Sequence, residues 1–161
     1  MGMVIALRCA GRGGYRVTIY DISDEILEGT KAKLREAGPL IVGMGLLAQE
    51  EFEGALGRIA FTSDAAVAAS DADVLSESVP EILDIKRETH ALFDSLLPAH
   101  AIQTTNTSHL LVSDMEDVVA CWCRTWRTWL SAATGSRRST STAPAVRWST
   151  SCGVPGRRTT Q

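Results

Sequence analysis

The chain has 161 residues, 45% of them apolar, and a formal net charge of -3, which bounds it to one domain with one modest core, as in ordinary soluble globular proteins. The N-terminal apolar run, Met3 to Leu7, is too short for a membrane span and ends at Arg8 without a small-residue cleavage site, so no span and no secretory leader is read there and a cytoplasmic location is expected. Ala6 stands where a myristoylation signal needs Ser or Thr after Gly2.

Along the chain, strands and helices are predicted to alternate. Residues 3–10 are apolar and helix-compatible, and Gly13 and Gly14 stop that helix. Arg16 to Tyr20, with β-branched Val17, Thr18 and Ile19, predicts a strand ending at Asp21. Ser23 caps the next helix, whose first turn holds Asp24 and Glu25 and whose apolar stripe is Ile26, Leu27 and Leu34. Gly38 and Pro39 break it. Residues 40–47 and 49–56 continue as helical pieces, 59–62 as a short strand and 64–69 as a short helix.

Val74 to Val79 is the next predicted strand. Ile82 to Leu97 follows as an amphipathic helix with apolar Leu83, Ile85, Leu92, Phe93, Leu96 and Leu97, and Pro98 ends it. Ala101 to Thr105 forms a further strand leading into Asn106, Thr107 and Ser108. Strands alternating with helices predict an α/β fold with a parallel, doubly wound sheet, its strands near 16–20, 58–62, 73–79 and 101–106.

Three strand ends carry chemistry. Asp21 stands where a dinucleotide-binding unit has a carboxylate for the adenosine ribose, about 20 residues after a glycine motif, and Gly2 lies 19 residues before it. An Asp ending a strand is also a common turn former. Ser76 to Glu81, with Lys86 beyond, puts Glu81 past the carboxyl end of a strand, where open α/β sheets bind ligands; alternatively Glu81 is a helix-start acid loosely paired with Lys86 on the surface. Thr104 to Ser108 gathers small polar groups able to orient a carbonyl or a nicotinamide, or to form an ordinary turn.

Taken together, Val17 to Ser23, Glu77 to Glu81 with Leu83 to Glu88, and Thr105 to Ser108 occur in the order and approximate spacing of the 3-hydroxyacyl-CoA dehydrogenase family. Residues 1–119 resemble the NAD-binding domain of that family, including its helical pair after the second strand. The resemblance implies an incomplete Rossmann-type sheet that lacks its first strand and the first two glycines of the motif. It implies that Gly2 is the last motif glycine, that Asp21 holds the ribose of NAD, and that Glu81 and Lys86 lie against the cofactor. Ser108 is then placed near the substrate hydroxyl and nicotinamide.

In such enzymes NAD takes hydride from C3 of an acyl-CoA while a His–Glu pair removes the hydroxyl proton, giving a 3-oxoacyl-CoA in fatty acid metabolism. The His of that pair sits in a His-aromatic-x-Asn-Pro motif that does not occur here, and His109 does not match it, so His109 is read as a surface residue and the chain as inactive alone. A nucleotide-binding remnant and a hydroxy-acid dehydrogenase of the lambda-crystallin type are the alternatives. The family's homodimer rests on a second, helical domain that is not matched here, and without a first strand its neighbours are expected to keep unpaired backbone groups.

The last 41 residues read differently. Residues 1–120 hold all 19 acidic residues, whereas 121–161 hold seven Arg, no Asp, Glu or Lys, all four Trp and three of the four Cys. Such a tail suits phosphate contacts and base stacking, but Arg without Lys is an odd basic patch, and no nucleic-acid partner is expected. Cys121 and Cys123 lack further ligands at metal spacing, since no His follows His109 and Cys152 is isolated. The remaining reading is a disordered Ser/Thr-rich tail, translated out of frame. Residues 147–154 can be encoded by CGC TGG TCG ACG TCG TGC GGG GTC, which one nucleotide earlier reads Pro-Leu-Val-Asp-Val-Val-Arg-Gly, similar to the family's segment after its catalytic His. Residues 121–161 are therefore expected to make few contacts with the body.

Overall fold

The computed structural model describes residues 2–119 and the backbone of a strand at 147–151. In chain order the elements are helix α1 (Gly2–Gly11), strand β1 (Arg16–Tyr20), helices α2 (Asp24–Glu36), α3 (Gly38–Gly43) and α4 (Gln49–Arg58), strand β2 (Ile59–Thr62), helix α5 (Ala65–Ala69), strand β3 (Val74–Glu77), helix α6 (Leu83–Leu96), strand β4 (Ile102–Thr105), two short 3-10 turns at 112–114 and 116–118, and strand β5 (Arg147–Ser151). All pairings are parallel, in the order β2-β1-β5-β3-β4.

Local chemistry sets the boundaries. Gly14 takes a left-handed φ of 67°, a conformation only glycine adopts without strain, and this turns the chain so that the Tyr15 amide donates to the Cys9 carbonyl before β1 begins. Ser23 caps α2 by accepting from the Ile26 amide, and Asp64 caps α5 by accepting from Ala66 and Val67. Pro39 sits in the first turn of α3, where its missing N–H costs nothing; it opens one helix as much as it closes another.

The sheet separates two apolar clusters. On one side Ala6, Leu7 and Ala10 of α1 meet Val17, Ile19, Leu27, Leu34, Phe52, Ala55 and Ile59. On the other, Tyr20 and Leu75 pack with Ala68, Ala69 and Phe93, the Tyr20 and Phe93 rings edge to face at 5.4 Å. Val17 and Ile19 against Tyr20 shows the alternation of a strand buried on both faces. Each such fully buried Leu, Val, Ile or Phe contributes roughly 1.5–3 kcal/mol of transfer free energy.

Two expectations change. In α2, Leu27 and Leu34 are buried but Ile26 is 48% exposed, so the stripe is narrower than its sequence suggests. More consequentially, the C-terminal segment is not free of the body at 147–151: β5 lies between β1 and β3 and pairs with both. Open backbone groups on two inner strands are costly, and this segment satisfies them. The expectations for 120–146 and 152–161 lie outside the described residues.

Candidate functional site

Because every strand runs the same way, the carboxyl ends of β1, β3 and β4 share one edge, and helix α1, which returns to the start of β1 through a short turn, begins at that same edge. Gly2, its first residue, is buried there. Asp21 follows β1 and is 1% exposed. Its Oδ1 accepts from the Ser23 amide at 3.1 Å, while Oδ2 is buried without a hydrogen-bond partner among the described residues. Burial pushes its carboxyl above the usual range, against the opposing hydrogen bonds from Ser23 and Ile22. A buried carboxylate oxygen with no donor invites one: ribose hydroxyls are donors of the needed kind, so the residue present fits a dinucleotide.

The end of β3 is organised around an ion pair. Glu77 and Lys86 have no side-chain exposure, and the Lys86 ammonium donates to both Glu77 oxygens at 2.9 and 3.0 Å. Glu77 also accepts from the Val79 amide at 2.7 Å and from Thr105 Oγ1 at 2.5 Å, and His90 Nε2 lies 3.7 Å away. Burial pushes the Glu77 carboxyl up, but His90, Thr105 and Lys86 outweigh it and hold it below its ordinary value. Gln103 fixes the other His90 nitrogen at 2.9 Å.

From that base Lys86 reaches outward to Glu81, 3.2 Å from its Oε2. The other Glu81 oxygen accepts from the hydroxyl of Thr107 and from the amides of Ser108 at 3.1 Å and His109 at 3.3 Å. These bonds, Thr107 first, pull its carboxyl down to about 2. Glu81 thus clamps the loop after β4 to the loop after β3. Ser108 is exposed, its Oγ 2.9 Å from His109 Nδ1, and His109 is exposed as well.

The structure brings Glu81, Lys86 and Ser108 into one network, and places Gly2 and Asp21 along the same edge. Lys86 is not a surface partner of Glu81: its principal partner is the buried Glu77. Sequence reasoning gave no role to Glu77 and His90, and read Thr105 only as part of the polar cluster after β4, not as a donor to Glu77. The buried face of α6 is Lys86, Thr89, His90 and Phe93, spaced i, i+3, i+4 and i+7, whereas Leu92 is 42% exposed. That helical spacing was the available signal. Beside it, an open cavity of about 120 Å³ is lined by His90, Gln103, Thr105, Val112, Met115, Glu116 and Val119.

Residues 1–125 match the family model described as 3-hydroxyacyl-CoA dehydrogenase, NAD binding domain. An L-carnitine dehydrogenase of Mesorhizobium japonicum is 34% identical over 64% of this chain and 27% of its own, and the human mitochondrial hydroxyacyl-coenzyme A dehydrogenase 31% identical over 71% and 38%. The solved structure of a diketoreductase superposes with a TM-score of 0.68 at 33% identity, covering 73% of this chain and 42% of that one. The chain spans about a third of the length of the curated relatives it matches. No helix among the described residues is long and apolar enough to cross a membrane. With its parallel sheet, its strand-end carboxylates and this match over residues 1–125, the chain belongs to the 3-hydroxyacyl-CoA dehydrogenase family through that family's NAD-binding domain.

Proposed function

We propose that this chain is the cofactor-binding part of an NAD-dependent dehydrogenase that oxidises the 3-hydroxyl of an acyl-CoA or a related hydroxy acid. The observation that carries this reading is Asp21 Oδ2, a buried acceptor without a donor at the carboxyl end of β1. Asp21 accepts from the adenosine ribose, Gly2 allows close approach at the start of α1, and Ser108 orients the nicotinamide end or the substrate hydroxyl. Lys86 acts from below, holding Glu81, which in turn fixes the Ser108 amide. NAD supplies the hydride acceptor. No residue in 1–119 matches the family's catalytic His, so the roles here are binding and orientation, and turnover by this chain alone is not expected.

Calorimetric titration of NAD and NADP into the full chain and into Asp21→Ala tests this. NAD is expected to bind more tightly than NADP, whose 2′-phosphate would face the Asp21 carboxylate with Ile22 and Ser23 after it and no Arg. Equal affinity for both cofactors, unaffected by Asp21→Ala, reduces Asp21 to a turn residue and overturns the assignment.

A further inference from the structure

The carboxylates that meet at the end of β3 outnumber the lysine that serves them. Lys86 is shared between Glu77, at 2.9 and 3.0 Å, and Glu81, at 3.2 Å, so one positive charge answers two negative ones. Glu77 has no solvent to make up the difference. One turn along α6, His90 is 5% exposed and turns Nε2 toward Glu77 Oε2 at 3.7 Å, too long for a hydrogen bond but within ion-pair reach.

The hydrogen bonds around the ring fix where its protons sit. Asp94 Oδ1 accepts from the Gln103 side-chain amide at 3.2 Å, and an ionised carboxylate can only accept, so Gln103 turns its carbonyl oxygen to His90 Nδ1 at 2.9 Å. Nδ1 therefore bears a hydrogen. A neutral ring in that tautomer aims the lone pair of Nε2 at the Glu77 carboxylate, and the other neutral tautomer sets the lone pair of Nδ1 against the Gln103 oxygen. Either one leaves two acceptors face to face in a buried place. A ring with hydrogen on both nitrogens satisfies both neighbours. Glu116, on the second 3-10 turn, lines the cavity beside His90 and adds a further carboxylate, while its β4 neighbours, Gln103 and Thr105, are uncharged.

We propose that His90 is held as an imidazolium and positions the Ser108 loop: it takes a share of the Glu77 charge and so leaves Lys86 free to hold Glu81. Glu81 in turn accepts from the Thr107 hydroxyl and the Ser108 and His109 amides. When the Nε2 proton leaves, Lys86 is drawn wholly to Glu77, because opposite charges attract strongly where water is excluded. Glu81 then loses its cation. The loop is held while the ring is protonated and loosens as pH rises through the midpoint of the ring. His90 meets no reacting atom; it acts through Lys86 and Glu81.

NMR of the imidazole nitrogens and of the Glu81 carboxyl carbon in the full chain tests this. The background is His109→Gln, because His109 Nδ1 lies 2.9 Å from Ser108 Oγ and its own titration would disturb the same loop. At neutral pH both His90 nitrogens are expected to carry hydrogen. Raising the pH should remove one, and the Glu81 carboxyl and Thr107 methyl resonances should shift with the same midpoint. A ring with a single hydrogen at neutral pH, or Glu81 and Thr107 signals that ignore the His90 midpoint, overturns the proposal. His90→Phe fills the space without a charge and is expected to abolish the step, leaving the Glu81 signal at its high-pH position throughout; His90→Lys should return it. A Glu81 signal untouched by His90→Phe makes the residue mere packing and overturns the idea, and if these variants fail to fold, the titration of the unmodified His90 decides. The bearing on the cofactor rests on the function proposed above for Ser108: NAD affinity is then expected to fall at least threefold across the same midpoint. NAD binding that ignores a midpoint seen at Glu81 overturns that bearing, whereas no NAD binding at any pH removes the cofactor reading alone, since Glu81 and Thr107 still report on His90.

Discussion

The Lys86 ammonium sits between the two carboxylate oxygens of Glu77, at 2.9 and 3.0 Å, with neither side chain reaching solvent. Removing one partner strands the other charge in the core, so Lys86→Met is expected to lower unfolding free energy by about 3–5 kcal/mol. Adding Glu77→Gln to it should recover a large part. Urea melts of the two single variants and the double variant check this; strictly additive losses mean the pair is not coupled.

Glu81 gives a pH signature. Its carboxyl, held at about 2 by Thr107, Lys86 and the Ser108 and His109 amides, titrates below the ordinary value of about 4.3 that it has when unfolded. Its stabilising effect is therefore fully present above that ordinary value and disappears as pH falls through about 2. Carboxyl carbon shifts followed by NMR should give this midpoint, with the Ser108 and His109 amides moving together. Titration near the unperturbed value would show the clamp to be open in solution.

Asp21 separates stability from binding. Burial raises its carboxyl pKa, so the ionised form costs folding free energy at neutral pH, and that cost is relieved as pH falls through the raised value. Asp21→Asn is expected to melt at the same temperature as the parent or higher, while losing about 1–3 kcal/mol of NAD binding, as for a hydrogen bond to a charged group. A melting temperature that drops together with affinity would assign Asp21 a structural role instead.

Two glycines in helices should respond oppositely to alanine. A Cβ on Gly38 would stand 2.5 Å from the ring of Phe52, itself buried in the core, whereas one on Gly29 meets nothing within 4 Å. Gly38→Ala is expected to cost about 1–3 kcal/mol, and Gly29→Ala to gain about 0.5–1 kcal/mol from helix propensity. Thermal melts of the two variants distinguish them; a gain at Gly38 would mean that Phe52 moves aside freely.

The elements from α1 to β4 were legible because local chemistry marks them: Gly13 and Gly14 stop a helix, β-branched residues fill β1, and Ser23 and Asp64 cap. Asp21, Glu81 and Ser108 were legible as strand-end polar groups. Glu77 was not. A charge buried by pairing looks, in a sequence, like any charge on a surface, and Lys86 and His90 hid the inner face of α6 behind the more apolar Leu92. The position of β5 was illegible for another reason: nothing local in Arg147 to Ser151 favours the centre of a parallel sheet, and its partners lie far away along the chain.

That position bears on how the chain assembles. A polypeptide emerging from its N-terminus makes β1, β2, β3 and β4 first, and the strand that joins the two ribbons is synthesised after all of them. Closing the sheet therefore waits on a contact of very long sequence separation, the kind that slows folding and leaves strand edges exposed to aggregation in the interval. Until β5 pairs with both, the facing edges of β1 and β3 are the backbone groups left open to a competing strand.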